Sequence, residues 1–506
     1  MKHKIYLILL TLCIVSCNSE KKQQLTDVSK DTAFNTLTNS VDAFAKNIIK
    51  KGNVNSFAVA IYKSGNMYQN YYGEIDKGSN TKPNDSLLYE IASITKTFTG
   101  SLIAKAVLSG KLNLDDDIRN YLDGNYSNLE FNGQPITIKH LLTHSMGLKN
   151  KLTKGFEAIR EKVTSGTYDY KIDNYSIDDL LTELKTVTLD KKPGTVYAYN
   201  SLGPELLAYI LEQVNKKPFK EQMRTFFKEL GMKDTYIDES QKYKKRLING
   251  YKGNVLAPVD HDPVYGAAGG AISTLPSLAT YMQYLVDNKN EPWVKESSRL
   301  LFEDKDEDEQ VGYLWQNIGF AEKEGYYYSK TGTSNRVQSG VLICPDSNYG
   351  IIVMVNNTSD AALNDWVRLF FRDIEPMVIA YPKLNLSSMF RIDFNENPSK
   401  AYQNFKTRKN DTTTYNLAIR DLNNFGYDLL NEEQHQKAIG VFKFLTEEFP
   451  KNANLYDSLG EAYFITENYK NALRSFKKAL ELNPDLKTSK NYIKKIETLT
   501  KLKTEK

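Results

Sequence analysis

The stretch "EIASITKTFTG", Glu90 to Gly100, places Ser93 and Lys96 three residues apart at the start of a run that propagates as a helix. Phe98, Leu102, Ile103, Ala106 and Val107 recur at helical spacing, and Gly110 supplies a stop. In the first turn of such a helix the Ser93 hydroxyl meets the positive end of the helix dipole. Lys96 falls on the same face directly above it. A serine hydroxyl is inert until a neighbour removes its proton. An amine does so only where burial or a second cation lowers its own affinity for protons. Ser-x-x-Lys is common in a lysine-rich chain, so its meaning depends on what else converges on it.

Two later stretches are candidates. "PGTVYAYNSLGPELLAYI" (Pro193–Ile210) carries Tyr199 just ahead of another helical pattern. "YYSKTGT" (Tyr327–Thr333) carries Lys330-Thr331-Gly332 on a predicted strand, where the missing side chain at Gly332 lets a ligand lie against the backbone. "FAVAIYKSGNMYQNYYGEID" (Phe57–Asp76) reads as a β-hairpin around a Ser-Gly-Asn turn. Residues Tyr326–Asn357 read as two or three antiparallel strands, with Pro345 to Asn348 as the last turn. Strands at both ends with helical patterns between them predict an α+β domain. Its antiparallel sheet is closed by the two ends of the domain and flanked by helices, and it is not doubly wound.

In that order, Ser-x-x-Lys, Tyr199 and Lys-Thr-Gly resemble the serine β-lactamase and penicillin-binding family. The likeness is strongest to class C β-lactamases, D-alanyl-D-alanine carboxypeptidases and related esterases. "GKLNLDDDIRNYL" (Gly110–Leu122), "ITIKHLLTHSMGL" (Ile136–Leu148) and "GAAGGAISTLPSLATYM" (Gly266–Met282) resemble it too, so the likeness runs from Asn55 to Asn357. It implies that Ser93 is the acylated nucleophile, Lys96 its general base, and Tyr199 the shuttle that protonates the leaving group and activates the deacylating water. It further implies an oxyanion hole from the Ser93 and Thr333 amides, and Lys330 and Thr331 holding a substrate carboxylate while keeping the Tyr199 phenol acidic. Two departures stand out. Ser201 takes the place of the asparagine in Tyr-x-Asn, with shorter reach and different hydrogen-bonding capacity. "TSNRVQS" (Thr333–Ser339) replaces the usual Gly-Phe pair after Lys-Thr-Gly, and its Arg336 either adds a fork for a carboxylate or, the favoured reading, faces solvent. Both weaken the case for β-lactam hydrolysis more than the case for serine acylation.

No cofactor or metal is expected. His140 and His144 lie four apart on a predicted helix, but His-Glu-x-x-His is missing and the pair falls in a segment the family uses structurally. Gly-x-Ser-x-Gly is also missing, which excludes an α/β-hydrolase elbow. A net charge of +4 over 506 residues, with lysines scattered among acids, gives no reason to expect nucleic acid.

At 506 residues the chain exceeds one hydrophobic core. "MKHKIYLILLTLCIVSC" has a basic start and an apolar run too short to span a bilayer. Its "IVSC" resembles a lipoprotein lipobox, so residues 1–16 read as a signal peptide. Cys17 reads as the lipidated residue anchoring the protein in the bacterial envelope, with residues 17–32 as a flexible tether. Residues 33–375 read as the hydrolase-like domain and 376–420 as a helical linker. In the last segment, 421–506, Gly426, Ala438, Phe442 and Pro450 recur 34 positions later as Gly460, Ala472, Phe476 and Pro484. That period resembles the tetratricopeptide repeat: two units, with flanking helices expected near Ser399–Arg408 and Ser489–Leu502. The partners expected are a small-molecule or peptide substrate and a peptide or protein at the repeats. The competing reading is a catalytically silent lipoprotein that binds peptidoglycan or protein through the repeat groove.

Overall fold

The computed structural model describes residues 16–169 and 171–504, in two compact units. One is residues 44–379; the other is residues 380–506 together with the N-terminal residues up to 43.

Residues 44–379 are built on a six-stranded antiparallel sheet of β1 (Ser56–Lys63), β2 (Asn66–Gly73), β3 (Gln316–Ala321), β4 (Gly325–Thr333), β5 (Gln338–Cys344) and β6 (Tyr349–Val355). The order is β3-β4-β5-β6-β1-β2, so the first and last thirds of the unit close one sheet, as expected. The β1–β2 hairpin turns on Ser64 and Gly65, both at positive φ, the geometry that matches the twist of the strands it joins. β1, β5 and β6 are buried along their whole length, which explains their continuous apolar runs. A helix α4 (Leu275–Asp287) packs on β1, β5 and β6. A helix α2 (Thr95–Leu108) lies alongside, and its Phe98 ring meets those of Phe226, Phe227 and the α4 residue Tyr281 edge-on. Cys344 is buried and free, and burial pushes its pKa up to about 12.

The expected signal segment lies outside the described residues, apart from Ser16. The stretch read as a flexible tether is helical backbone within α1 (Ser16–Lys51); it is polar, but it contains neither glycine nor proline to interrupt a helix. Residues 33–43 belong with the C-terminal unit and not with the hydrolase-like one. There the Phe34 ring meets Tyr381 edge-on and the Ser40 hydroxyl donates to the Met389 sulfur.

The other unit contains two helix pairs, α5 (Ile419–Asn431) with α6 (His435–Glu448) and α7 (Ala453–Ile465) with α8 (Tyr469–Leu482). They are flanked by helices at Pro398–Arg408 and at α9 (Lys487–Thr504), where caps were expected. The segment read as a linker is helical but integral: Phe390, Phe394 and Phe405 share one buried cluster with Phe425, Phe442 and Phe444. Within each pair a glycine takes the edge of a phenylalanine. A Cβ at Gly426 would lie 2.3 Å from Phe442 Cε1, and one at Gly460 would lie 2.6 Å from Phe476 Cδ1. Gly426→Ala is therefore expected to destabilise this unit by about 1–3 kcal/mol through overpacking, despite alanine's better helix propensity. Urea denaturation followed by circular dichroism checks it.

Candidate active site

Ser93 lies in a single helical turn (Ala92–Ile94) that runs directly into α2. Ala92 holds φ +46°, a left-handed conformation that a residue with a Cβ seldom adopts. Lys96, almost fully buried, donates from Nζ to Ala268 O at 2.6 Å and to Ser93 Oγ at 3.2 Å. Tyr199 precedes a helix α3 (Leu202–Asn215), and its phenol donates to the same Ser93 oxygen at 2.7 Å. Lys330 reaches in from β4: its Nζ lies 3.4 Å from Tyr199 Oη and also donates to Gln316 Oε1 on β3. Lys96 and Tyr199 thus meet at the Ser93 hydroxyl, and Lys330 joins them through the Tyr199 phenol, so four residues from three distant pieces of chain form one group.

Their charges shape one another. Burial raises the Tyr199 pKa, but attraction of the phenolate to Lys330 and Lys96 more than offsets it, and the result is about 7. Lys330 itself is lowered, mainly by burial. His144 packs its ring 4.5 Å from that of Tyr199, with neither ring nitrogen hydrogen-bonded. Burial, with Lys96 and Lys330 close by, holds its pKa well below the usual range, so it contributes a neutral wall and no third cation. His140 sits apart from this group, where its Nδ1 accepts from the Thr137 amide at the start of a short helix.

β4 passes hard against the nucleophile's turn. A Cβ at Gly332 would lie 2.3 Å from Ile91 O and 3.0 Å from Ser93 N, so only glycine fits there. Thr331 and Thr333 alternate with Lys330 along the strand, half-buried and exposed. Thr333 lines the same pocket as Ser93, Lys96 and Ser201, and its hydroxyl donates to Gln338 Oε1 at 2.6 Å. Ser201 precedes α3 without capping it. The neighbouring Asn200 is no substitute for the missing asparagine, because it is buried and bonded to Ala198 O and the Gly203 amide.

Arg336 corrects the expectation of a solvent-facing side chain. It is 4 % exposed and donates to Asn249 Oδ1 at 3.0 Å, held inside by the carboxylate of Glu90 and the turn at Ser334–Val337. Two further residues had no place in the sequence reading. Glu205, fully buried on α3, accepts from the Tyr265 and Ala268 amides at 2.8 Å each. It thereby fixes the loop whose Ala268 carbonyl holds Lys96. Gln316 links Lys330 to the Tyr197 hydroxyl, to which it donates at 2.7 Å. An acid in the middle of the apolar pattern "GPELLAYI" was the available signal for Glu205.

An antiparallel sheet that carries Lys-Thr-Gly past a Ser-x-x-Lys helix start defines the class of penicillin-binding and serine β-lactamase folds. The chain belongs to the Beta-lactamase family, whose model matches residues 41–370, and a Tetratricopeptide repeat model matches residues 458–486. It is similar to Protein flp of Staphylococcus aureus (strain N315), 26% identical over 328 residues, which cover 63% of this chain and 63% of flp. It therefore spans less than two thirds of that relative's length. A Beta-lactamase of Providencia stuartii is 24% identical over 362 residues, covering 64% of this chain and 88% of that one. Among solved structures, a beta-lactamase/D-alanine carboxypeptidase from Yersinia pestis complexed with citrate superposes with a TM-score of 0.55 at 23% identity, over 64% of this chain and 93% of that one. The octameric penicillin-binding protein homologue from Pyrococcus abyssi gives 0.54 at 23% identity, over 63% and 73%. These likenesses establish the fold.

Proposed function

We propose that the protein is a serine hydrolase of the bacterial envelope. It acts through a Ser93 acyl-enzyme on an amide or ester: a D-amino-acid peptide, a carboxylic ester or a β-lactam. The observation that carries this reading is Ser93 Oγ lying 2.7 Å from Tyr199 Oη and 3.2 Å from Lys96 Nζ. With a pKa of about 7, a substantial share of Tyr199 is phenolate at neutral pH. Tyr199, in place of the Lys96 expected as general base, takes the Ser93 proton as Oγ attacks the carbonyl carbon and the carbonyl π pair moves onto oxygen, because Lys96 Nζ serves as a donor to Ala268 O and Ser93 Oγ while Tyr199 Oη is the nearer group at 2.7 Å. The Ser93 and Thr333 amides receive that oxyanion, each such donor typically contributing on the order of a hundredfold in rate. Tyr199 then passes the proton to the departing nitrogen or oxygen as its bond to carbon breaks. In deacylation it takes a proton from water, whose oxygen attacks the ester, and returns it to the departing Ser93. Lys96 and Lys330 hold the charge on the phenol throughout. Ser201 in the asparagine position favours a peptide or ester over a β-lactam.

A fluorescent penicillin and a fluorophosphonate test the acylation step. At least one is expected to label the protein at Ser93, and a folded sample labelled by neither would refute the reading. A chromogenic cephalosporin, short acyl nitrophenyl esters and D-Ala-D-Ala peptides then sort the substrate class.

Two features complete the proposal. The repeats take an extended or helical peptide from a partner protein. Cys17, acylated after signal cleavage, tethers the protein to the membrane. Cys17→Ser is expected to move most of the product into the soluble fraction and abolish labelling by radioactive palmitate; persistent labelling contradicts the anchor.

A further inference from the structure

A carboxylate on a substrate needs a cation within its reach, and the cations around Ser93 are each engaged. Lys96 donates to Ala268 O and Ser93 Oγ. Arg160, on the wall of the pocket, donates to Asp260 Oδ1 at 3.3 Å and His261 O at 3.0 Å, and Asp262 attracts the same charge. Arg336 is buried against Asn249. Lys330 decides the matter. It stands beside the phenol that hands its proton to the departing atom, so it lies on the leaving-group side of the scissile bond. It is 1 % exposed, and its ammonium donates to Gln316 Oε1 as well as to Tyr199 Oη. Glu309 draws on the same ammonium from nearby.

Gln316 is built into that position. It opens β3, and the ladder to β4 slips by one residue just after it: Gln316 pairs with Ser329, but Gly319 pairs with Tyr327. A bulge of this kind re-aims the side chains beside it. Asn317, within the slip, holds φ +47° and donates from Nδ2 to Ser329 Oγ at 3.0 Å. Tyr313 and Leu314, just ahead of Gln316, hold φ +49° and +67°, which residues of their bulk seldom adopt. The far end of the amide is fixed as well. Its Nε2 donates to Tyr197 Oη at 2.7 Å, and the Tyr197 amide donates to Asp304 Oδ2 at 2.8 Å. An ammonium has only donors, so the side chain can meet Lys330 through its oxygen alone. Gln338 on β5 treats the next polar group in the same way, its Oε1 accepting from the Thr333 hydroxyl at 2.6 Å.

Resting on the Ser93 acylation reading, we propose that Gln316 is a specificity-determining residue. By occupying the Lys330 ammonium it closes the leaving-group side of the site to a carboxylate, so the substrate is an ester or amide whose departing alcohol or amine is uncharged. A peptide ending in D-alanine and a penicillin both carry a carboxylate on the carbon next to the departing nitrogen. Of the substrate classes proposed above, the carboxylic ester therefore suits this site best. An incoming carboxylate would have to displace Gln316 from Lys330 and Tyr197, leaving a buried amide without partners.

A matched pair of thioesters tests it. Thioglycolate and 2-mercaptoacetamide have the same shape, but only the first carries a carboxylate one carbon from the departing sulfur. Each is acylated with butyrate and with N-acetyl-D-alanine, and thiol release is followed near neutral pH, every rate being divided by that of the hydroxide reaction. Wild type is expected to favour the mercaptoacetamide esters by about tenfold or more in kcat/KM. Gln316→Ala should shrink that ratio towards one, chiefly through a lower KM for the thioglycolate esters, and Gln316→Glu should widen it. A ratio taken on one enzyme cancels any shared change in Tyr199 acidity, and a merely structural role would lower both rates together. Equal turnover of the pair by wild type, a preference for thioglycolate, or a ratio unmoved by both substitutions overturns the specificity; the wild-type comparison stands even where a variant fails to fold. Failure of the Ser93 reading looks different: turnover is then absent or survives Ser93→Ala, and the specificity falls with it. If none of the thioesters is turned over but a fluorescent penicillin labels Ser93, acylation stands and the specificity alone is lost.

Discussion

Ser93→Ala is expected to cut hydrolysis of any substrate found by about four orders of magnitude or more, and to abolish labelling by fluorophosphonate or penicillin. Loss of a nucleophile removes the covalent route entirely, leaving only binding and the oxyanion donors. The fold has little reason to notice. Lys96 keeps its bond to Ala268 O at 2.6 Å, and Tyr199 keeps Lys330 at 3.4 Å, so deleting one hydroxyl strands neither cation. The melting temperature should therefore stay within about 2 °C of wild type. Activity surviving in a folded Ser93→Ala protein, read by nitrophenyl ester hydrolysis alongside the thermal scan, would place the nucleophile elsewhere and end the assignment.

What the sequence revealed and what it concealed divide along a physical line. The β1–β2 hairpin, α2 and the repeats are written in local periodicity: alternation about a Ser-Gly turn, apolar residues at helical spacing, a 34-residue recurrence. Ser93, Lys96, Tyr199 and Lys330 were legible because each sits in a short motif of fixed order, and the structure brings all four together. The supporting groups carry no such mark. Glu205 holds a loop about sixty residues away, Gln316 joins two strands to the Tyr197 hydroxyl, and His144 walls the phenol with a neutral ring. Arg336 looked like a surface residue because arginine in a polar loop usually is one. Residues distant in sequence, Glu90 and Asn249 among them, give its charge a place inside. The N-terminal residues 33–43 were misplaced for the same reason, since their partners Tyr381 and Met389 come some 350 positions later.

Lys330→Met separates two roles that the same amine is asked to fill. In wild type, activity should fall about tenfold per pH unit below the Tyr199 pKa of about 7, because a protonated phenol cannot accept the Ser93 proton. Of the two lysines, Lys330 does more to hold that pKa down; without it burial is opposed only by the weaker pull of Lys96 and the hydrogen bond with Ser93. The midpoint of the kcat/KM profile on a neutral nitrophenyl ester should then move upward by about two units or more, a loss of about a hundredfold at pH 7 that is recovered towards pH 10. Methionine matches the length of the lysine stem, but it leaves Gln316 Oε1 without its donor, so some loss of stability will accompany the change. A purely structural effect would lower the plateau at every pH and leave the midpoint where it was, which is the result that would refute the electrostatic role. If Lys330 also grips a substrate carboxylate, a carboxylate-bearing ester should lose a further tenfold or more in kcat/KM that alkaline pH does not restore. Equal losses for both esters would confine Lys330 to keeping Tyr199 ionised.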